Sequence, residues 1–243
     1  SSLAGVRLRN QGDPILDVSS PAGADKRLQR ETLDLVGQLN QRAARILCDF
    51  LVVIDLKEHS AKLVAGYNNV DVLDFDWVND NRLVFNVTDK QVGPGGQYLA
   101  TGLYAVDHDG GRLRQLASRR GEAEETTGSH IASRMLPWHT FMLGQRGAQD
   151  SDTIYVESYE YDVDRGNGEL RHVNLLRLNT VTGASQVVQR PAAVSSWMLD
   201  HKGEPRLARA SEKGQVTIYY RDPRNNDQWR ALVKFNAYTG GKG

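Results

Sequence analysis

Few residues of this chain combine types and spacing that do covalent chemistry. Ser129 and His130 are a nucleophile and a base side by side, but a catalytic triad needs an imidazole folded back onto the hydroxyl, which direct neighbours do not achieve. An α/β-hydrolase nucleophile sits on a strained strand-to-helix turn of the form Gly-x-Ser-x-Gly. No such pentapeptide occurs, and Ser185, two residues after Gly183, has Val187 where the second glycine is needed. The histidines are His59, His108, His130, His139, His172 and His201, and none is paired at the i, i+4 spacing of a helical zinc site. His59, His108 and His201 fall in turns, whereas His130 and His139 flank Trp138 and read as one surface and one partly buried histidine, with a joint polar role as the alternative. Asp162 to Glu169 has the look of a calcium loop, yet counting from Asp162 puts Gly166 at position 5, Asn167 at 6 and Val173 at 12, which breaks the ligand pattern. Gly93-Pro94-Gly95-Gly96 lacks the Lys-Ser/Thr of a phosphate loop. Asn86-Val87-Thr88 matches a glycosylation acceptor but lies in an expected strand. Cys48 is the single cysteine, so no internal disulfide forms, and it reads as a small apolar residue. The sequence therefore offers no catalytic, cofactor-binding or metal-ligating set.

Composition narrows the partners. Lys plus Arg and Asp plus Glu both total 30 of 243 residues, so no net charge attracts nucleic acid or an anionic membrane. No apolar run approaches the 18 residues of a spanning helix. The first residues lack the basic-then-apolar pattern of a signal peptide, which leaves the compartment open between periplasm and cytoplasm.

The elements that would position any site are mostly strands. Residues 1–25, rich in Ser, Gly, Asp and Pro, read as a loop or extended arm. Residues 26–49 read as a helix, with Leu28, Leu35, Leu39, Ala43 and Leu47 on one stripe. From Phe50 the period switches to two, and short β-rich runs alternate with Gly, Asp and Asn turns. One hairpin grammar recurs: Leu51–Leu56 with Ala61–Gly66, Gly102–Val106 with Arg112–Ala117, Asn174–Leu178 with Ala184–Gln189, and Val216–Arg221 with Gln228–Phe235. Trp77, Trp138 and Trp197 recur at intervals of 61 and 59 residues. Trp77 and Trp197 close the runs Val70–Val78 and Ala193–Leu199, each followed by a partner strand, Arg82–Val87 and Pro205–Ala210. Trp138 follows Ile131–Leu136, with Thr153–Tyr159 as partner and 139–152 as a long loop.

Together these define a four-strand unit of about 60 residues, longer than the roughly 40–50 of common propeller repeats. Three units fit 70–235, and 51–66 supplies the last two strands of an earlier one. The expected fold is all-β: a partial β-propeller of about three and a half blades forming an open arc over residues 50–243, preceded by an arm and helix over 1–49. A β-sandwich is the alternative, but it imposes no such repeat.

Val52-Val53-Ile54-Asp55-Leu56, then Phe75-Asp76-Trp77-Val78-Asn79-Asp80-Asn81-Arg82-Leu83-Val84-Phe85, then Gly102-Leu103-Tyr104-Ala105-Val106-Asp107 with Asp109-Gly110-Gly111, resemble the propeller of bacterial prolyl oligopeptidase-family serine peptidases, the group of acylaminoacyl peptidases and dipeptidyl aminopeptidases. Leu136-Pro137-Trp138 and Leu176 to Gly183 fit the same pattern, so the resemblance covers about 51–238. It implies a non-catalytic domain that caps a hydrolase active site and admits short peptides. The partners so implied are an α/β-hydrolase domain, which this sequence lacks, and peptide substrate met indirectly. Residues 1–49 are atypical of that family and are expected to be foreign to the fold. Bare blade faces in an open arc would favour self-association. The other readings are a stand-alone propeller-like binding module, for which Tyr155, Tyr159 and Tyr161 supply alternating aromatic anchors, and a non-functional gene fragment.

Overall fold

The computed structural model describes residues 3–8, 49–55, 58, 60–67, 69–89, 101–120, 122, 135–143, 149–162 and 168–240. Apart from Asp49, the stretch 26–49 expected to be helical lies outside them, as do Cys48, His59, Gly93 to Gly96, Ser129 and His130.

The described residues form four antiparallel sheets in chain order. The first contains β1 (Leu3–Leu8), β2 (Asp49–Asp55) and β3 (Ser60–Tyr67). The second is a meander of β4 (Val70–Asn79), β5 (Arg82–Asp89), β6 (Gly102–Asp107) and β7 (Arg114–Ala117). β8 (Thr140–Met142), β9 (Thr153–Asp162), β10 (Glu169–Asn179) and β11 (Ser185–Val187) make the third. β12 (Val194–Leu199), β13 (Pro205–Glu212), β14 (Gln215–Asp222) and β15 (Gln228–Asn236) make the fourth.

Three apolar layers stack these sheets face to face. Leu51, Val53 and Val64 of the first sheet meet Leu83, Phe85, Val87, Tyr104 and Val106 of the second. On its other face the second sheet presents Val84, Leu103 and Ala105 to Val156, Leu176 and Leu178 of the third. Val173 and Leu175 then turn the third sheet's opposite face to Trp197 and Ala208 of the fourth. Strand residues alternate between faces, so the central sheets bury both, which is why β5 reads as the unbroken apolar run Leu83-Val84-Phe85. Successive four-stranded meanders packed in this way are propeller blades. No strand pairing joins the fourth sheet to the first among the described residues, so the chain is a partial, open propeller.

Local turn chemistry closes the hairpins. Asn179 Oδ1 accepts from the backbone N–H groups of Val181 and Thr182 at 3.0 and 2.8 Å, and Gly183 at φ 72° completes the β10–β11 turn. Asp200 Oδ1 does the same for Lys202 and Glu204, at 2.8 and 3.0 Å, before β13.

The structure departs from the sequence reading at two places. Leu3–Leu8, expected to be part of a loop or extended arm, forms β1 and pairs with β2 from Leu3 opposite Asp55 to Leu8 opposite Phe50, adding a third strand where two were expected. The first strand of the third blade is β8, inside the supposed loop 139–152. Of the run expected in its place, Leu136 forms only an isolated bridge to Ala117, and 131–134 lie outside the described residues. Trp138 consequently stands in the turn before β8 and is half-buried. Trp77 and Trp197 do occupy matching places, each the third residue from the end of its strand and each facing the preceding sheet. Their counterpart in the third blade is Met142, which pairs with Val156 and packs on the layer toward the second sheet.

Candidate functional site

β8 is only three residues long, and its partner β9 has ten. β8 pairs with Val156, Glu157 and Ser158 alone. Past that point the Tyr159 N–H still reaches the His139 carbonyl at 3.1 Å, but Tyr161 extends beyond the first strand. The uncovered length of β9 opens a recess of about 430 Å³ against β4 and β5, within the range of small-ligand sites.

Asn86 of β5 holds the short strand in place from the neighbouring sheet. Its side-chain amide donates to the Gly102 carbonyl at 3.0 Å and to the Thr140 carbonyl at 3.5 Å. Its oxygen accepts from the Met142 N–H at 3.0 Å. Asn86 is buried, so the glycosylation motif that contains it has no accessible acceptor.

Glu157 stands opposite Phe141 in the β8–β9 register, and alternation places Tyr155 and Tyr159 on its face of β9. The Tyr159 hydroxyl donates to Glu157 Oε2 at 3.2 Å, and the Trp197 backbone N–H also donates to this carboxylate. Burial nevertheless dominates and pushes the Glu157 carboxyl above the ordinary glutamate range, against the lowering effect of both hydrogen bonds. Burial likewise pushes the Tyr159 phenol up to about 12, with the Glu157 charge and hydrogen bond adding to it. Tyr159 therefore stays a neutral donor. Its ring meets Phe141 edge-on at 5.2 Å. Tyr161 lies edge-on to His139 at 6.1 Å, His139 to Trp138 at 5.3 Å, and the Arg120 guanidinium sits 5.7 Å over Trp138. Leu73 and the exposed Asp74 complete the recess from β4.

The site thus joins an acid in a poorly solvated position, aromatic walls and an apolar floor, all suited to binding. Another crevice, beside Trp77 and Gln149, encloses about 90 Å³, room for a few waters.

The tyrosines singled out from sequence divide their roles: Tyr155 and Tyr159 pack toward the fourth sheet, while Tyr159 and Tyr161 line the recess. His139 reaches its rim through Tyr161. His108 and His201 lie in turns, as expected, and His172 is on β10. Ser185 is exposed on β11 with no histidine among its described hydrogen bonds. Of the calcium-like loop, only Asp162, Gly168 and Glu169 are described. Glu157, Phe141 and Asp74 were not singled out from sequence, and Asn86 was named only as part of a glycosylation motif. The available signal was parity: Glu157 falls between Tyr155 and Tyr159 on an inward-facing row.

No protein-family model matches the chain, and no curated protein does. Among solved structures, TolB from Acinetobacter baumannii matches over 79% of this chain and 36% of its own, at 11% identity and TM-score 0.34. Oligogalacturonate lyase from Vibrio parahaemolyticus matches over 77% of this chain and 43% of its own, at 12% identity and TM-score 0.40. Both are β-propeller proteins. The chain spans less than half the length of either, and its propeller assignment stands on its own four stacked sheets.

Proposed function

We propose that this chain is the non-catalytic, substrate-gating propeller portion of a serine peptidase resembling the prolyl oligopeptidase family, and that the β8 recess is a surface its peptides meet. The run Phe75 to Phe85 that carries the resemblance spans β4, its turn and β5, next to the recess. A propeller surrounds a central channel with its blades, and a walled approach of that kind admits flexible peptides and rejects folded proteins. The observation that carries the proposal is the recess itself, an aromatic and acidic pocket made by shortening one strand of an otherwise regular blade. A stand-alone binding module is the second reading, favoured by the exposed Met198, Leu232 and Val233 on the fourth sheet.

The test is titration of the purified chain with end-blocked tripeptides by calorimetry, alongside fluorophosphonate labelling. We expect peptide binding that Leu73→Trp abolishes by filling the recess, and no labelled serine. Labelling of a serine in this chain, or peptide binding indifferent to Leu73→Trp, overturns the proposal.

A further inference from the structure

We propose that the recess is a subsite for one basic side chain of the peptide, a lysine ammonium or an arginine guanidinium; this rests on the preceding reading that peptides meet the recess. Among the described residues, the ionisable groups that line it are two carboxylates and two phenols: the exposed Asp74, the half-buried Glu157, and Tyr159 and Tyr161. Among the described residues no Lys, Arg or His lines it. An acidic ligand would meet only like charge or neutral walls, so carboxylate-bearing substrates are excluded by Coulomb repulsion in a partly desolvated space.

A basic side chain fits every part of the wall. Its methylene stem needs apolar surface while its head keeps polar company, and Leu73 and Met142 supply that surface beside the carboxylates. Three aromatic rings, Phe141, Tyr159 and Tyr161, stand around the same volume, and ring faces attract cations most strongly where water is scarce. Glu157 is the group that gains most. Burial leaves its charge poorly solvated, and a cation beside it replaces the lost water. The Tyr159 hydroxyl and the Trp197 N–H fix the carboxylate in place, so little ordering remains for the ligand to impose. A neutral apolar side chain of the same length would bury the same stem but leave Glu157 uncompensated. The subsite therefore discriminates by charge and not by shape alone.

The experiment uses four end-blocked tripeptides, acetyl-Gly-X-Gly-amide with X as Lys, Arg, norleucine or Glu, titrated into the whole chain by calorimetry. The blocked ends keep terminal charges out of the comparison. Lys and Arg peptides are expected to bind about tenfold tighter than the norleucine peptide, the loss of a charge-assisted contact being of that size, with the Glu peptide weakest. Glu157→Gln and Tyr161→Leu should each remove most of this preference, read within each variant as the ratio of its Lys-peptide to its norleucine-peptide affinity, with a cooperative melt showing that the variant is folded. Near pH 5 the Lys peptide should release protons on binding to wild type but not to Glu157→Gln, read by repeating the titration in buffers of different ionisation enthalpy. If the norleucine peptide binds as tightly as the Lys peptide, or Glu157→Gln leaves the preference intact, the basic subsite is wrong while peptide gating stands. If none of the four binds in a manner that Leu73→Trp blocks, both fall together.

Discussion

Arg82 offers the sharpest energetic test of how the blades are joined. It opens β5 and is 1% exposed, yet its guanidinium reaches three separate backbone segments. Nη1 donates to Asp107 Oδ1 at 2.7 Å. Nε and Nη2 donate to the Thr180 hydroxyl and carbonyl at 3.0 and 2.8 Å. Nη1 and Nη2 also reach the Arg112 carbonyl at 3.3 and 3.2 Å. The Thr180 contacts clamp the second blade to the third across 98 residues of sequence. Breaking a buried ion pair from one side costs about 3–5 kcal/mol. In Arg82→Met, Asp107 keeps its 2.6 Å bond from Arg112 Nε, and the Thr180 hydroxyl keeps the Asp152 carbonyl at 3.0 Å, so the lower end applies, about 3 kcal/mol. For a chain of this size that is a fall of roughly 6–12 °C in melting temperature. Burial alone would raise the Asp107 carboxyl, but hydrogen bonds from Arg112 and Arg82 outweigh it and hold it below the ordinary aspartate range. A depressed carboxylate stabilises the fold above its unfolded pKa, about 4, and that contribution disappears as pH falls through the lower folded value. The wild-type advantage over Asp107→Asn should therefore shrink below about pH 4. Urea denaturation at pH 7 and at a series of acid pH values measures both effects. The double variant Arg82→Met/Asp107→Asn should recover part of the loss, because no unpaired charge remains. An Arg82→Met chain within 1 kcal/mol of wild type would refute the clamp.

Other consequences are open to direct measurement. Glu157 has a raised carboxyl, so its contribution to stability is present below its unfolded pKa and lost as pH rises through the folded one; Glu157→Gln should flatten that decline, and identical pH–stability curves would contradict it. Trp197, 6% exposed, donates its indole N–H to the Val173 carbonyl at 2.9 Å, and Trp197→Ala should cost about 3–5 kcal/mol in denaturant. Half-buried Trp229 and Trp138 should cost less, and equal losses at Trp229 and Trp197 would undo the assigned register. Asn86→Ala should cost about 1–3 kcal/mol by leaving the Met142 N–H and two carbonyls short of a partner, with amide exchange rising first at 140–142. Met198 is 46% exposed where Val78, also next to a tryptophan, is 1% exposed under the third sheet; sedimentation should therefore show self-association that Met198→Lys with Val233→Lys reduces, and a monodisperse wild-type chain at micromolar concentration would count against it.

Most strands were legible because their determinants are local. Alternating residues set the faces, and Asx side chains, followed by glycine in turns such as Asn179 to Gly183, marked many of the turns, so hairpins such as Gly102–Asp107 with Arg114–Ala117 could be placed to within two residues. Trp77 and Trp197 marked first strands because each ends a long apolar run. The same rule misplaced the third blade, where the strand near Trp138 is brief, begins with Thr140, and is held by Asn86 from another sheet. A strand fixed by a residue 54 positions away leaves no local pattern. β1 escaped for a related reason: its pairing with β2 spans some forty residues and its composition resembles a loop. The site was less legible than the fold. An isolated glutamate in a strand reads as solvent-exposed, and only the position of Glu157 between two inward tyrosines distinguishes it from a surface acid.

The place where the repeat breaks and the place where the chemistry gathers coincide, and one physical cause connects them. A regular blade leaves no room beside its first strand, because that strand covers the full length of the second; β4 pairs with β5 from Val70 to Asn79 in this way. Shortening the first strand of the third blade to Thr140–Met142 removes that cover from Tyr159 and Tyr161, and the backbone and side chains so exposed need other partners. Asn86 satisfies part of the backbone from the neighbouring blade, His139 and Phe141 meet the rings, and Glu157 holds the Tyr159 hydroxyl and the Trp197 N–H. What remains unfilled is a volume that accepts a side chain carrying positive charge. Lengthening β8 at its amino end, by grafting the β4 pattern onto residues 137–139, which stand opposite Tyr161 to Tyr159 when the register is continued, would close the recess without touching the stacked apolar layers. Such a chain should gain stability and lose peptide binding together, whereas a gain in stability with peptide binding unchanged would separate the broken repeat from the site.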